Sequence, residues 1–439
     1  MKFEPAAVES LTGGVNDTGL SWYLMREVLE RFFPLFEKRR ESYYKLQKLD
    51  PYYRVFFGPG DSVDITGDMS RTEAIFVSFE PGGAEKLRRY LAQTEYECDV
   101  AMREFLYRDN RTVYEFLNRR VKIEGARLNV FSFLDRFVRK YFTDRRARQI
   151  LQYAMVFLGS SPSNAPALYS IVSHVDLNLG VWFLRGGMGE LEGGVVRLVR
   201  EMDVNIKLGE EVKHIEVERG KVASVVTEKG NYPCDAALIN ADYAHAELEL
   251  LEAPYRSYPA TYWKNGCLRL PCSLSIWDYG RSSHLWHITI SISVIRGKHI
   301  LTQYSASRHG QRTPPATSAA PRLMIPPSRR KTLMKFATPA QKRFIDHFEK
   351  LTGESIRGAV SVCRIYSQRD YSRDYNAYRG TALGIAHTLF QTAAFRPAGK
   401  SKKVSNLYFS GQYTHPGIGV PMKFISSEVT AAKMTEELL

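Results

Sequence analysis

From residue 21 the chain reads SWYLMREVLERFFPLFEK, with Leu24, Val28, Leu29, Phe32 and Phe33 recurring at helical spacing up to Pro34. A helix period closed by a proline predicts an amphipathic helix that ends there. Residues 53–57 and 62–65 are short apolar runs on either side of Gly58-Pro59-Gly60, which predicts a strand pair joined by a turn. Residues 85–108, 113–118 and 132–157 follow a helical pattern, with aromatic residues interleaved with arginine. That mixture could stack single-stranded nucleic acid, but at helical spacing it fits a core face with a solvated rim better.

Val181-Trp182-Phe183 then runs into Arg185-Gly186-Gly187-Met188-Gly189, and an amphipathic helix is expected from 191 to 202. Strand, glycine turn and helix suggest a dinucleotide fingerprint, yet Glu192 stands where G-x-G-x-x-G needs its third glycine. A carboxylate is a poor neighbour for a pyrophosphate at a helix start, so the turn reads as a close approach of backbone to a ligand or to another element. Alternating runs at 205–208, 214–218 and 222–227 predict strands, with Gly220 and Gly230 at the turns, followed by the apolar run 236–240. This last run ends in Asn240-Ala241-Asp242, as a buried strand leaving a sheet at a ligand crevice would. An antiparallel meander with a plain exit loop fits the periodicity equally well.

At the C-terminus, 404–410 reads as a strand, 411–419 as a loop with three glycines and Pro416, and Pro421 as the first residue of a helix reaching the chain end. A glycine turn feeding a helix start presents N–H groups and the positive end of the dipole to an anion or an electron-rich ring. An ordinary β-α connection has the same pattern.

Composition changes this picture at one place. The chain has 439 residues, 44 % hydrophobic and 25 % charged, with a net charge of +14, a globular balance whose charge alone points to polyanionic partners. Between Asp278 and Asp346, however, 67 residues contain no Asp or Glu and hold twelve Lys and Arg, and removing those twelve takes +14 to +2. The basic character is therefore local, and nucleic acid is not an expected partner. Five cysteines and no apolar leader argue for reduced thiols in a cytoplasmic setting. Cys267 and Cys272 form a lone C-x4-C, which reads as two free thiols, and no metal site is expected. The longest stretch without Asp, Glu, Lys or Arg, 149–175, carries Pro162, Pro166 and several serines, a poor spanning helix, so membrane contact would be peripheral.

NLYFSGQYTHPGIGVPMKFISSEVTAAKM, at 406–434, resembles the C-terminal FAD-contact motif of bacterial- and archaeal-type phytoene desaturases, carotenoid desaturases among the FAD-dependent amine-oxidase-like oxidoreductases. DTGLSWYLMREVLERFF, LGVWFLRGGMGEL, the strands closing in LINAD, and RDYNAYRGTALGIAHTLFQTAAFRP match in the same order. The resemblance spans about residues 17–280 and 346–439. It implies an α/β protein: a discontinuous, Rossmann-like FAD-binding domain beside an α+β substrate domain of mixed sheet and helices that holds a polyene of C30 to C40. The implied chemistry is hydride transfer to the flavin with proton loss from the adjacent carbon. Gly411, Gln412, Thr414, His415, Pro416, Gly417, Gly419, Val420 and Pro421 would then lie against the flavin, with Asn240, Ala241 and Asp242 near the other half of FAD. Arg185, Gly186 and Gly187, and the span from Tyr378 to Gln391, would line the substrate route. No residue is singled out as a catalytic base.

The chain departs from the pattern twice. The strand, G-x-G-x-x-G turn and helix that open the family are not matched, and Met1 to Gly14 is shorter than one such unit of roughly thirty residues. The expectation is a truncated chain lacking its first βαβ unit and weakened in FAD binding, or one subunit of a split desaturase with a separate Rossmann-bearing partner, or a non-catalytic isoprenoid carrier. The second departure is the acid-free stretch. SRHGQRTPPATSAAPRLMIPPSRRKT has no strand or helix period, and it reads as a shifted reading frame, a lineage-specific insert or a basic patch held against anionic lipid. The domain expectation is 1–16 outside the pattern, 17–180 helical substrate domain, 181–250 FAD-domain strands, 251–368 substrate domain with 279–345 anomalous, and 369–439 the FAD-contact segment.

Overall fold

The structure is a computed structural model that describes residues 7–9, 15–17, 22–108, 129, 132–155, 160–266, 272–279, 285–295, 299–309, 339–353, 355, 360–388, 391–392 and 395–439. The first predicted helix spans Arg26–Phe32, and Pro34 tightens the chain into a 3-10 turn at Phe33–Phe36 instead of releasing it into a loop. Proline fits the start of such a turn because its missing N–H is not needed there. The strand pair forms as Tyr53–Gly58 and Asp61–Ile65.

Two long helices follow, Met69–Phe79 and Gly83–Ala101. The first has no clean apolar period, since Ile75, Phe76 and Val77 are consecutive, but Asp68 caps it by accepting from the Ser70 N–H at 2.9 Å. The helices meet closely where Gly83 follows the turn. A Cβ at Gly83 would lie 2.0 Å from the Phe76 carbonyl oxygen, so only glycine fits. Residues 132–157 divide into two helices, Leu134–Val138 and Arg145–Gln152. Glu80 joins the two helical layers, its carboxylate oxygen Oε2 accepting from the Thr143 and Asp144 N–H groups at 2.9 and 2.6 Å. Phe76, Tyr90, Phe137 and Phe142 fill the core between them. The predicted helix at 113–118 lies outside the described residues.

The strand before the glycine turn is Trp182–Leu184, paired with Leu46–Lys48, and the helix after it is Gly189–Glu201. Residues 205–208 form no strand, contrary to the alternation of Asn205-Ile206-Lys207-Leu208. Leu208 is exposed, so solvent satisfies the pattern that a sheet was expected to satisfy. Val212–Glu218, Lys221–Thr227 and Asn231–Pro233 make an antiparallel meander. Ala237–Ile239 leaves that meander and pairs in parallel with Leu407–Phe409, 170 residues on in register Ala237 to Leu407. This separates the two readings left open above, because the strand before Asn240 belongs to a parallel pair.

Within the acid-free stretch, Leu285–Ile295 and His299–His309 form an antiparallel hairpin in a four-stranded sheet with Cys272–Tyr279 and Val360–Tyr366. Residues 310–338, which hold most of the segment without a period, lie outside the described residues. The C-terminal helix spans Val420–Leu438, so Pro421 takes its second position and not its first. Among the described residues, no helix is long and apolar enough to cross a membrane.

Candidate functional site

The two parallel strands end side by side and release Asn240-Ala241-Asp242 and Ser410-Gly411-Gln412 at one edge. Ligands bind at the carboxyl ends of parallel strands because helix starts and open backbone converge there. The Asn240 side-chain amide donates to the Ser410 carbonyl at 3.1 Å, and the Ser410 N–H donates to the Ile239 carbonyl at 2.9 Å. These bonds hold the two exits together.

Asp242 is buried and organises the next layer. Its Oδ1 accepts from the His245 N–H at 2.9 Å, and its Oδ2 accepts from the Tyr413 hydroxyl at 2.7 Å and the Tyr378 N–H at 3.1 Å. Burial raises its pKa, against the pull of these hydrogen bonds. Tyr243, next to it, stacks on Phe409 with ring centroids 3.8 Å apart and sits beside Trp263 in the core under the strands.

The loop from Gly411 to Gly419 is held from two sides. On one side Ser426, from the C-terminal helix, accepts from the Gly411 N–H at 3.2 Å and shares a 2.9 Å hydrogen bond with the Thr414 hydroxyl. Thr414 also donates to the Gly411 carbonyl at 3.0 Å, so its hydroxyl closes the loop. On the other side lies Arg396, 5 % exposed. Its Nε donates to the carbonyls of Tyr413 and Thr414 at 3.2 and 3.0 Å, its Nη1 to Gln391 at 3.1 Å, and its Nη2 to Gln412 at 2.5 Å. Burial lowers its pKa to about 10, which leaves the guanidinium charged at neutral pH. Backbone carbonyls surround this cation. Because N–H and C=O point oppositely across a trans peptide, carbonyls of 412 and 414 drawn to Arg396 turn the N–H groups of Tyr413 and His415 the other way.

His387 packs beneath the second half of the loop. A Cβ at Gly417, whose φ is +126°, would lie 2.6 Å from His387 Cε1, so glycine is required by both contact and conformation. The Ile418 N–H reaches His387 Nε2 at 3.4 Å, and Nδ1 meets the Tyr169 hydroxyl at 2.5 Å. Tyr169 in turn bonds Thr392 at 2.7 Å, which links the loop to the helical half of the molecule. His415 Nε2 makes a second link, 3.0 Å from the Phe105 carbonyl.

The loop ends at Gly419, which starts the C-terminal helix without any side-chain cap. The first N–H groups of a helix have no partner inside it. Those of Val420 and Met422 make no hydrogen bond to a described residue. An anion or a polarisable ring set against this end would satisfy them, so the residues present fit a dinucleotide cofactor.

The predicted residues therefore fall into two groups. Asn240, Ala241 and Asp242, the loop from Gly411 to Pro421, Tyr378 and Gln391 come together. Arg185, Gly186 and Gly187 stand apart at the turn after Trp182–Leu184, where the Arg185 N–H donates to the Lys45 carbonyl at 3.0 Å. Their following helix nonetheless shares an apolar cluster with the start of the C-terminal helix through Met188, Leu191, Val420 and Phe424. His387 falls inside the span from Tyr378 to Gln391 expected along the substrate route, whereas Arg396, Tyr169, Tyr413 and Ser426 were not anticipated as site residues. Arg396 is the last residue but one of the quoted stretch RDYNAYRGTALGIAHTLFQTAAFRP, and the proline that follows it was the one local signal there.

Comparison with known proteins agrees with this geometry. The sequence profile described as flavin containing amine oxidoreductase matches residues 8–268. A carotenoid 3,4-desaturase of Haloarcula japonica is 35 % identical, over 96 % of this chain and 89 % of its own length. A 4,4'-diapophytoene desaturase of Staphylococcus aureus is 25 % identical, over 97 % of this chain and 90 % of its own. Among solved structures, putrescine oxidase bound to putrescine superposes with a TM-score of 0.55 at 11 % identity, over 98 % of this chain and 90 % of that one. Cyclohexylamine oxidase from Brevibacterium oxydans gives 0.54 at 12 % identity with the same coverage. At such identities these two structures speak for the fold alone.

Proposed function

Since the chain belongs to the flavin-containing amine oxidoreductases, within their carotenoid desaturases, and is an FAD-dependent oxidoreductase, we propose that it desaturates a C30 to C40 carotenoid precursor such as phytoene or dehydrosqualene. The observation that carries this reading is the conjunction at one strand edge of an uncapped helix start, a glycine loop whose carbonyls are withdrawn by Arg396, and the aromatic residues Tyr169, Tyr378 and Tyr413. Bound FAD supplies the hydride acceptor, so that a saturated C–C bond of the substrate becomes a double bond as a proton leaves the adjacent carbon.

The protein's part is to position and to exclude water. Asn240, the Gly411–Gly419 loop and the open helix start would hold the cofactor. Arg396 and Ser426 fix the loop's shape from behind, and Asp242 fixes Tyr378 and Tyr413 in front. The polyene would run past Tyr378 and Gln391, with Arg185, Gly186 and Gly187 farther along its route. Such a substrate resides in a bilayer, and we place the chain at the membrane surface for that reason.

Production of the chain in a host that accumulates phytoene, and in one that accumulates dehydrosqualene, tests the reading. The expected outcome is conversion of one precursor to a pigment absorbing at longer wavelength. An FAD-loaded protein that extracts with bound isoprenoid but leaves both precursors unchanged would make it a carrier instead.

A further inference from the structure

The hydrogen bonds of Arg396 explain the shape of the loop but not the charge beneath it. A buried cation is costly unless an opposite charge accompanies it. Arg396 is 5 % exposed and makes no ion pair with a described residue; its polar partners are the neutral carbonyls of Gln391, Gln412, Tyr413 and Thr414. The ionisable groups that act on it through space are the phenols of Tyr169, Tyr262 and Tyr413, which burial keeps protonated. Asp242, the acid of this layer, meets Tyr413 at the phenol end, and its hydrogen bonds go to Tyr413, Tyr378 and His245. Among the described residues, no carboxylate is set against the guanidinium.

The place of this charge relative to the loop is fixed at both ends. In the first half of the loop its Nε and Nη2 hold the carbonyls of 412–414, and in the second half its Cζ lies 3.3 Å from where a Cβ of Gly417 would stand. One layer of backbone therefore separates the guanidinium from the opposite face of the loop, the face on which the cofactor is proposed to lie. Across that layer the N–H groups of Tyr413 and His415 point away from Arg396. A cation behind the loop and peptide dipoles with their positive ends in front act in the same sense, and both stabilise negative charge that develops on the far face. Hydride transfer creates such a charge. A hydride brings two electrons and one proton to a neutral flavin ring, which then carries one negative charge.

We propose that Arg396 is the counter-charge of the hydride-transfer step: a guanidinium built in behind the loop that favours reduced, anionic FAD over oxidised FAD and so makes the bound cofactor a stronger hydride acceptor. The inference rests on the flavin reading and adds to it a residue outside the glycine loop, acting through one layer of peptide. A unit charge one backbone layer away, at the effective screening of a protein site, is worth about a 10- to 100-fold preference.

Wild type, Arg396→Lys and Arg396→Gln, each held saturated with FAD, test this by two readings that need no polyene. One is the midpoint potential of the flavin; the other is its affinity for sulfite, whose sulfur lone pair adds to the flavin N5 and leaves the ring negative as a hydride does. Arg396→Gln should lower the potential by about 30 mV for each tenfold of preference lost, hence by about 30 to 60 mV, and weaken sulfite binding by the same factor. Arg396→Lys keeps the charge and should keep both readings close to wild type although it loses stability, so that potential follows the charge while stability follows the hydrogen bonds. In wild type alone, the reduced flavin should stay anionic at a pH where free reduced flavin has taken up its proton, which its absorbance reports even if the Gln variant does not fold. A neutral reduced flavin there, or equal potentials and sulfite affinities in wild type and Arg396→Gln, would overturn the inference while the flavin reading stands. So would weaker FAD binding by Arg396→Gln at unchanged potential, which would assign the charge to the diphosphate. A wild-type chain that binds no FAD would remove both.

Discussion

Replacing Arg396 with Leu should cost the protein about 3–5 kcal/mol of stability and most of its FAD affinity. The guanidinium is buried, and four backbone carbonyls depend on it: Gln391, Gln412, Tyr413 and Thr414. Leucine fills comparable space but leaves those acceptors without donors in a site that water reaches poorly. The cheapest relief is for 412–414 to turn their carbonyls toward solvent, and that same rotation withdraws the N–H groups of Tyr413 and His415 from the cofactor side. Stability and binding should therefore fall together. Lys has a single donor centre and cannot span four acceptors arranged around a planar fork, so Arg396→Lys should fall between the two. Chemical denaturation and FAD titration of the three proteins check this. If Arg396→Leu keeps wild-type stability and FAD affinity, the loop is held by something else.

Asp176→Asn should act in the opposite direction and only above acidic pH. Asp176 is 2 % exposed; its Oδ2 accepts from the hydroxyls of Tyr53 and Tyr153 at 2.5 and 2.8 Å, while its Oδ1 is buried without a partner. Burial raises its pKa from 3.8 to about 7, against the two tyrosine hydrogen bonds. A carboxyl whose pKa is higher folded than unfolded keeps its proton in the folded chain while the unfolded chain has lost it. Stability therefore declines as pH rises from about 4 to about 7 and is level above that. At about 1.4 kcal/mol per pKa unit, the decline amounts to roughly 4 kcal/mol.

Asn has no proton to lose, and its carbonyl can take both tyrosines. Its NH2 would sit where Oδ1 now finds no partner, which costs about 1–3 kcal/mol. The variant should be about 1–3 kcal/mol more stable than wild type at pH 8 and lack this part of the decline between pH 4 and pH 7. Parallel stability curves for the two proteins across that range would show that Asp176 titrates normally.

The parts of the site legible in the sequence are those built from local backbone. Gly411 to Gly419 read as a glycine loop feeding a helix because the glycines, Pro416 and Pro421 lie next to one another along the chain. The strand 236–240 was visible as an apolar run, but periodicity could not show whether its partner was the preceding meander or Leu407–Phe409, 170 residues away. The parallel pairing decides that, and with it the place of Asn240 beside Gly411.

What escaped the sequence depends on contacts that no local pattern records. Arg396 looks like one more basic residue until four carbonyls surround it. Asp176 stands in His174-Val175-Asp176-Leu177, and its burial comes from Tyr53, 123 residues earlier, and from Tyr153. The run at 205–208 shows the reverse case. Its alternation suits a strand, but among the described residues none pairs with it, and Leu208 is left to solvent.

The central claim is that this chain holds FAD at the edge formed by Asn240, the 411–419 loop and the Val420 helix start, and uses it to desaturate a polyene. Anaerobic mixing of the FAD-loaded protein with phytoene or dehydrosqualene in detergent micelles tests it most directly. The oxidised-flavin absorbance should bleach as a longer-wavelength polyene band rises, with one new double bond for each flavin reduced. A protein that binds FAD stoichiometrically yet shows no bleaching with either precursor would contradict the account.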